Sequence, residues 1–136
     1  MKIDSITEKM CANIAHGISQ IICATTDASV IASWGIRSTS WAILKDKGDE
    51  LPCLVLHVSG LVHCGLVFVA YDMERNWYMI KLMNAKAGYE SGWYRGIYYE
   101  DIGKRIDELV ERPVGMSGKE YKLLCDFVTK LAEENS

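Results

Sequence analysis

The chain has 136 residues, 49% of them hydrophobic and 24% charged, with a formal net charge of −3. So much apolar surface can offset the entropy of ordering the chain, which supports one folded domain and excludes intrinsic disorder. The mild acidity argues against a general nucleic-acid binder, because neutralising phosphates needs an excess of Lys and Arg.

The predicted elements begin with a helix. Ser5-Ile6-Thr7-Glu8 has capping-box spacing with Ser5 at the N-cap, and Met10, Ile14, Ile18, Ile21 and Ile22 follow at helical spacing. Gly17 weakens the middle of this helix, and a close approach to a sheet is the expected reason. The helix should end between Ala24 and Asp27. Extended structure is expected from Ser29 to Lys45, with a turn or bulge at Arg37-Ser38-Thr39-Ser40, where the alternation changes phase. Asp46 to Pro52 reads as a polar loop.

Residues 53–84 carry the strongest pattern. Val58 is expected opposite Val62 across Ser59-Gly60-Leu61, and Ala70 opposite Tyr78 across a turn through Asp72 to Asn76. These registers give one apolar face of Leu54, Leu56, Val58, Val62, Cys64, Leu66, Phe68, Ile80 and Leu82. The other face then holds His57, His63, Val67, Val69, Tyr71, Trp77, Met79 and Lys81. A loose segment, residues 85–99, follows and ends in a short edge strand. A helix from about Asp101 carries Ile102, Ile106, Leu109 and Val110 on one side and stops before Pro113. Ser117-Gly118-Lys119-Glu120 opens a last helix with Tyr121, Leu124, Cys125, Val128, Leu131 and Ala132 on one face. The expected fold class is α+β, a single domain over residues 1–136, with an N-terminal helix, an antiparallel meander sheet of four to five strands and two C-terminal helices.

The cysteines, Cys11, Cys23, Cys53, Cys64 and Cys125, form no C-x-x-C pair and have apolar neighbours, so most should be buried free thiols in a reducing compartment. MKIDSITEKM is charged where a signal peptide is apolar, and a cytoplasmic location is expected. Cys53 to Tyr71 contains no Lys, Arg, Asp or Glu and approaches bilayer-spanning length. Ser59-Gly60 at its middle, its histidines and its valines instead indicate two buried strands and no membrane span.

Few motifs point to chemistry. His57 and His63 fall opposite each other in the expected register, but Cys64 points to the opposite face, so the pair reads as sheet-face histidines and no metal site is implied. The adjacency His63-Cys64 is not a dyad, since neighbours on a strand face opposite ways. The chain has no phosphate-cradling loop, dinucleotide fingerprint or nucleophile elbow, so no catalytic residue and no cofactor is implied.

The aromatic residues are more suggestive. Tyr89, Trp93, Tyr94, Arg95, Tyr98 and Tyr99 combine amphipathic rings with a guanidinium, the side chains enriched at binding surfaces. With His57, His63, Tyr71 and Trp77 they form the candidate binding surface, unless the rings merely cover the sheet's second face. The function expected is a non-catalytic protein-interaction or self-association domain, with a protein partner or a homodimer. The competing expectation is a small-molecule-binding protein or enzyme with a pocket between the sheet and the aromatic loop.

Ser33-Trp34-Gly35-Ile36, Val58-Ser59-Gly60, His63-Cys64-Gly65 and Tyr98-Tyr99-Glu100-Asp101 ahead of Ile106-Asp107 also carry a likeness. From about Ser33 to Pro113 the layout resembles small bacterial proteins of unknown function of the kind carried as accessory genes. The resemblance implies a bacterial source and a non-enzymatic role, and brings no functional residues with it.

Overall fold

A computed structural model of the chain describes residues 7–111. Helix α1 spans Glu8–Thr25 and is capped by Thr7, whose hydroxyl accepts from the Met10 amide. The expected cap, Ser5, lies outside the described residues. Cys11, Ala15, Ile18 and Ile22 form the buried stripe of α1. Nothing lies within 4 Å of a Cβ added at Gly17, so close packing on the sheet is not what that glycine provides.

The stretch expected to be extended from Ser29 is instead a short helix, α2 (Ala28–Ser33), nucleated where the Asp27 carbonyl accepts from the Val30 and Ile31 amides. Over six residues a β-branched pair fits either periodicity, and the turn at Asp27 decides between them. Strand β1 (Ser38–Asp46) begins inside the expected turn.

Strands β2 (Asp49–Ser59), β3 (Cys64–Asp72) and β4 (Trp77–Asn84) continue an antiparallel meander. Beyond β4, β5 (Tyr89–Glu90) and β6 (Tyr94–Ile97) occupy one strand position, both pairing with β4. Between them the Ser91 hydroxyl accepts from the Leu82 amide, and the Ser91 amide donates to the Leu82 carbonyl. A single-turn 3-10 helix then leads into α3 (Ile102–Val110). The result is an α+β fold with helices before and after an antiparallel sheet. The expected last helix, from Ser117, lies outside the described residues. No helix among the described residues is long and apolar enough to cross a membrane, and Cys53 to Tyr71 forms the β2–β3 hairpin.

Both hairpin registers differ from expectation. Val58 pairs with Gly65, not Val62, and Ala70 pairs with Met79, not Tyr78. The first shift is three residues and the second is one. An odd shift inverts a strand's faces. Strand β3 is therefore turned over, with Val67 and Val69 inward on the helix face and Leu66 and Phe68 on the far face. For β4 the two odd shifts cancel, so Ile80 and Leu82 share a face with Leu54, Leu56 and Val58 as expected.

The causes are local. At the β2–β3 turn Ser59 pairs with Cys64, and the loop Gly60–His63 is held by the end of α3, a contact absent from sequence periodicity. At the β3–β4 turn the Asp72 carboxylate accepts from the Glu74 and Arg75 amides, so Asp72 closes the hairpin with Trp77.

The helix face, covered by α1 and α3, forms the main core with Trp34. The far face forms a second cluster of Leu51, Cys53, Val55, Phe68, Ala70 and Met79. An ion pair explains how the sheet itself helps to enclose that cluster. Arg95 Nη2 on β6 lies 2.8 Å from Asp46 Oδ2 on β1, although four strand spacings of about 4.8 Å separate these strands along the sheet. The sheet must therefore curve toward its far face far enough for these two side chains to reach one another across it.

Candidate functional site

The candidate residues scatter over this architecture. His57 is exposed and pairs with Leu66, while His63 is buried in the β2–β3 loop, its Nε2 donating to the Leu66 carbonyl. The two histidines are not opposite each other. Tyr71 and Tyr94 sit on the helix face, where Tyr71 packs on Tyr78 at 5.1 Å and Arg105 lies over Tyr94. Trp77 and Trp93 pack on the far face. Tyr89 is exposed beside His63 at 6.3 Å, and Tyr98 and Tyr99 are exposed just before α3.

The structure thus brings only Trp77, Trp93 and Arg95 together on one side. Their polar neighbours already have partners: Lys81 pairs with Glu90 and lies over the Trp93 ring, and Arg95 also donates to Met79 Sδ. The exception is Trp77 Nε1, which is buried without a hydrogen-bond partner among the described residues.

Two buried acids lie where α3 meets the β2–β3 loop. Trp34 Nε1 donates to Asp107 Oδ1 at 2.9 Å, and the Leu61 amide donates to Glu111 Oε1 at 3.0 Å. The Val62 and His63 amides donate to the Val110 carbonyl. A Cβ on Gly60 would stand 2.3 Å from the Val110 side chain, so only glycine fits this contact. Burial pushes the Glu111 carboxyl up to about 7; the Leu61 amide opposes the shift and the Asp107 carboxylate adds to it. This constellation clamps the loop, leaving Leu61 and Val62 facing outward. Of the thiols, Cys11 and Cys53 are buried and Cys23 and Cys64 are exposed, so half of the described thiols are buried where most were expected to be, and Cys125 lies outside the described residues. Burial pushes the Cys53 thiol up to about 12, which makes it a core group and not a nucleophile.

No family model, curated protein or solved structure matches the chain.

Strand β1, at one edge of the sheet, is a candidate that sequence reasoning overlooked as a site. It is an edge strand of nine residues, paired on one side with β2 and on the other with nothing among the described residues. Its turn sets which groups face outward. Lys47 and Gly48 both have positive φ, 52° and 86°, as in a type I′ turn, which makes Asp46 and Asp49 a hydrogen-bonded pair. Alternation then directs the backbone groups of Ser38, Ser40, Ala42, Leu44 and Asp46 toward β2, and those of Thr39, Trp41, Ile43 and Lys45 outward. Pro52 agrees with this phase: having no N–H, it stands opposite Ile43.

From Ser38 to Leu44 this edge carries no charge, proline or bulge, the features that blunt exposed edges. That uncharged, β-prone run is the signal that could have revealed it. The opposite edge, by contrast, is broken by register shifts and by Gly92 and Gly96.

Proposed function

We propose that this chain is a non-catalytic protein-binding domain that works by strand pairing through β1. One observation carries the reading: a regular, nine-residue edge strand whose outward amides and carbonyls are unpaired among the described residues, with Trp41 40% exposed beside them. Such an edge offers a partner main-chain hydrogen bonds for affinity and side chains for selectivity. The aromatic far face supports binding less well, because its cations are paired within the chain and its rings are packed inward.

The test is capture of binding proteins by the tagged full chain and its Thr39→Pro variant, followed by amide hydrogen exchange on the complex. Proline at an edge position is compatible with the fold and removes one outward donor. Capture should fall by about tenfold or more, with the amides of Thr39, Trp41, Ile43 and Lys45 protected in the wild-type complex. A second variant, Trp41→Glu, should act alike and guards against a folding defect. Equal capture by both variants, or no protection along β1, refutes the reading.

A second reading, a small-molecule site on the far face, draws support from the unpartnered Trp77 N–H, a donor whose burial without a partner costs about 1–3 kcal/mol. It predicts a ligand with an acceptor group, retained in native mass spectrometry and lost in Trp77→Phe.

A further inference from the structure

We infer that the partner of β1 is β1 of a second copy of this chain, paired antiparallel about a two-fold axis through Ala42, a proposal that rests on the reading of β1 as a pairing edge. The faces of the strand constrain the register. Ala42 and Leu44 pack into the far-face cluster, and Asp46 reaches Arg95 on that side. Trp41 and Ile43 consequently project on the helix face.

Two sheets join into one continuous sheet only if residues of like face stand opposite each other, so the axis must pass through a residue. Ala42 is the midpoint of Ser38–Asp46, and only there does every residue of the strand find a partner. Trp41 then faces Ile43, Thr39 faces Lys45, Ser40 faces Leu44, Ser38 faces Asp46, and Ala42 faces itself. These pairs set the outward backbone groups of each copy against those of the other, and each Trp41–Ile43 or Thr39–Lys45 pair exchanges two hydrogen bonds.

The side chains agree. Trp41 against Ile43 is an aromatic–β-branched pair, a stabilising cross-strand combination that covers the exposed indole. No like charges face each other within the paired strands. An axis through Trp41 would instead leave Asp46 unpaired and bring Lys45 against Arg37. An axis through Ile43 would leave Ser38 and Thr39 without partners in the strand. The two-fold pairing uses the same surface on both copies and removes both unblunted edges at once, leaving as outer edges the two broken by bulge and glycine.

The test uses the full chain in sedimentation equilibrium, together with single-cysteine substitutions at two exposed positions, Thr39→Cys and Lys45→Cys. The native chain should sediment at twice the monomer mass, shifting to monomer in Trp41→Glu. Mild oxidation of a mixture of the two substituted chains should form a disulfide between position 39 of one copy and position 45 of the other, identified by peptide mass mapping. Neither variant alone should link its substituted position to itself, because six residues of strand, about 20 Å, separate the like positions. A monomer at all concentrations, or a dimer without the 39-to-45 link, overturns the inference. If Thr39→Pro still abolishes capture of a different protein, the broader reading of β1 survives that failure. If that variant changes nothing, both fall.

Discussion

The two faces of the sheet are buried by different means. On the helix face, β-branched side chains and leucines meet the apolar stripes of α1 and α3, and the core closes as layers close, element upon element. On the far face, thioether, thiol, phenyl and indole groups are enclosed partly by the sheet's own coiling, tied at its outer strands by Asp46 and Arg95. The lesson is that a sheet face on which no described helix packs need not be a solvent face or a binding face. Curvature can bury it, and polar side chains then serve as ties and covers.

The largest test of this contrast is in core packing. Ile80→Ala, at 0% exposure between the helices and the sheet, should cost about 2–5 kcal/mol in urea unfolding. Met79→Leu, its neighbour on the far face, should cost less than about 1.5 kcal/mol, since it preserves volume. Equal losses would mean that the far face is as tightly specified as the other.

The buried acids of the two sides should respond to pH with opposite signs. Glu111, at the end of the helix face, has its carboxyl raised to about 7 by burial. The folded state holds that proton more tightly than the unfolded chain, so its contribution is complete below about pH 4.5 and disappears as pH rises through 7. Asp72, at the β3–β4 turn of the far face, is also pushed up by burial, but hydrogen bonds and charge from Arg75 outweigh this and hold it below the usual carboxylate range. Its contribution is present above the unfolded value and is lost as pH falls through the folded one. From these two groups, stability should therefore be greatest between about pH 4 and 5. Glu111→Gln should remove the decline toward pH 8, on the order of 2 kcal/mol, as read from urea midpoints at pH 5.5 and 8.

The smallest effect is at the tie. Asp46→Asn should cost less than about 1 kcal/mol, because the pair is partly exposed and screened by salt. Amide exchange should nevertheless accelerate along β1 and β6 together. Faster exchange on one strand alone would show that the pair does not couple the two edges.

Much of the architecture was legible from residue spacing. The apolar stripe of α1, the hairpin through Asp72 to Asn76 and the stripe of α3 follow from periodicity and turn chemistry. What was not legible depended on contacts between distant residues. The β2–β3 loop is set by hydrogen bonds to Val110 and Glu111, about fifty positions away in the chain, and this moved the register by an odd number. The faces of β3 were misread as a result, and with them the grouping of His57, His63, Tyr71 and Trp77. The β1 edge was legible in composition, but its importance depends on which strands lie inside the sheet, and that is a property of topology.

The irregular strand beyond β4 carries a consequence for how the chain tolerates changes in length. Since β5 and β6 hold β4 independently, on either side of Ser91 and Gly92, a residue inserted at that break would be absorbed as slack, leaving Tyr94 and Ile97 on the helix face. The same insertion between Val67 and Ala70 would turn half of β3 inside out. Among chains of this fold, gain and loss of residues should therefore concentrate at Ser91–Trp93, and the middle of β3 should keep its length.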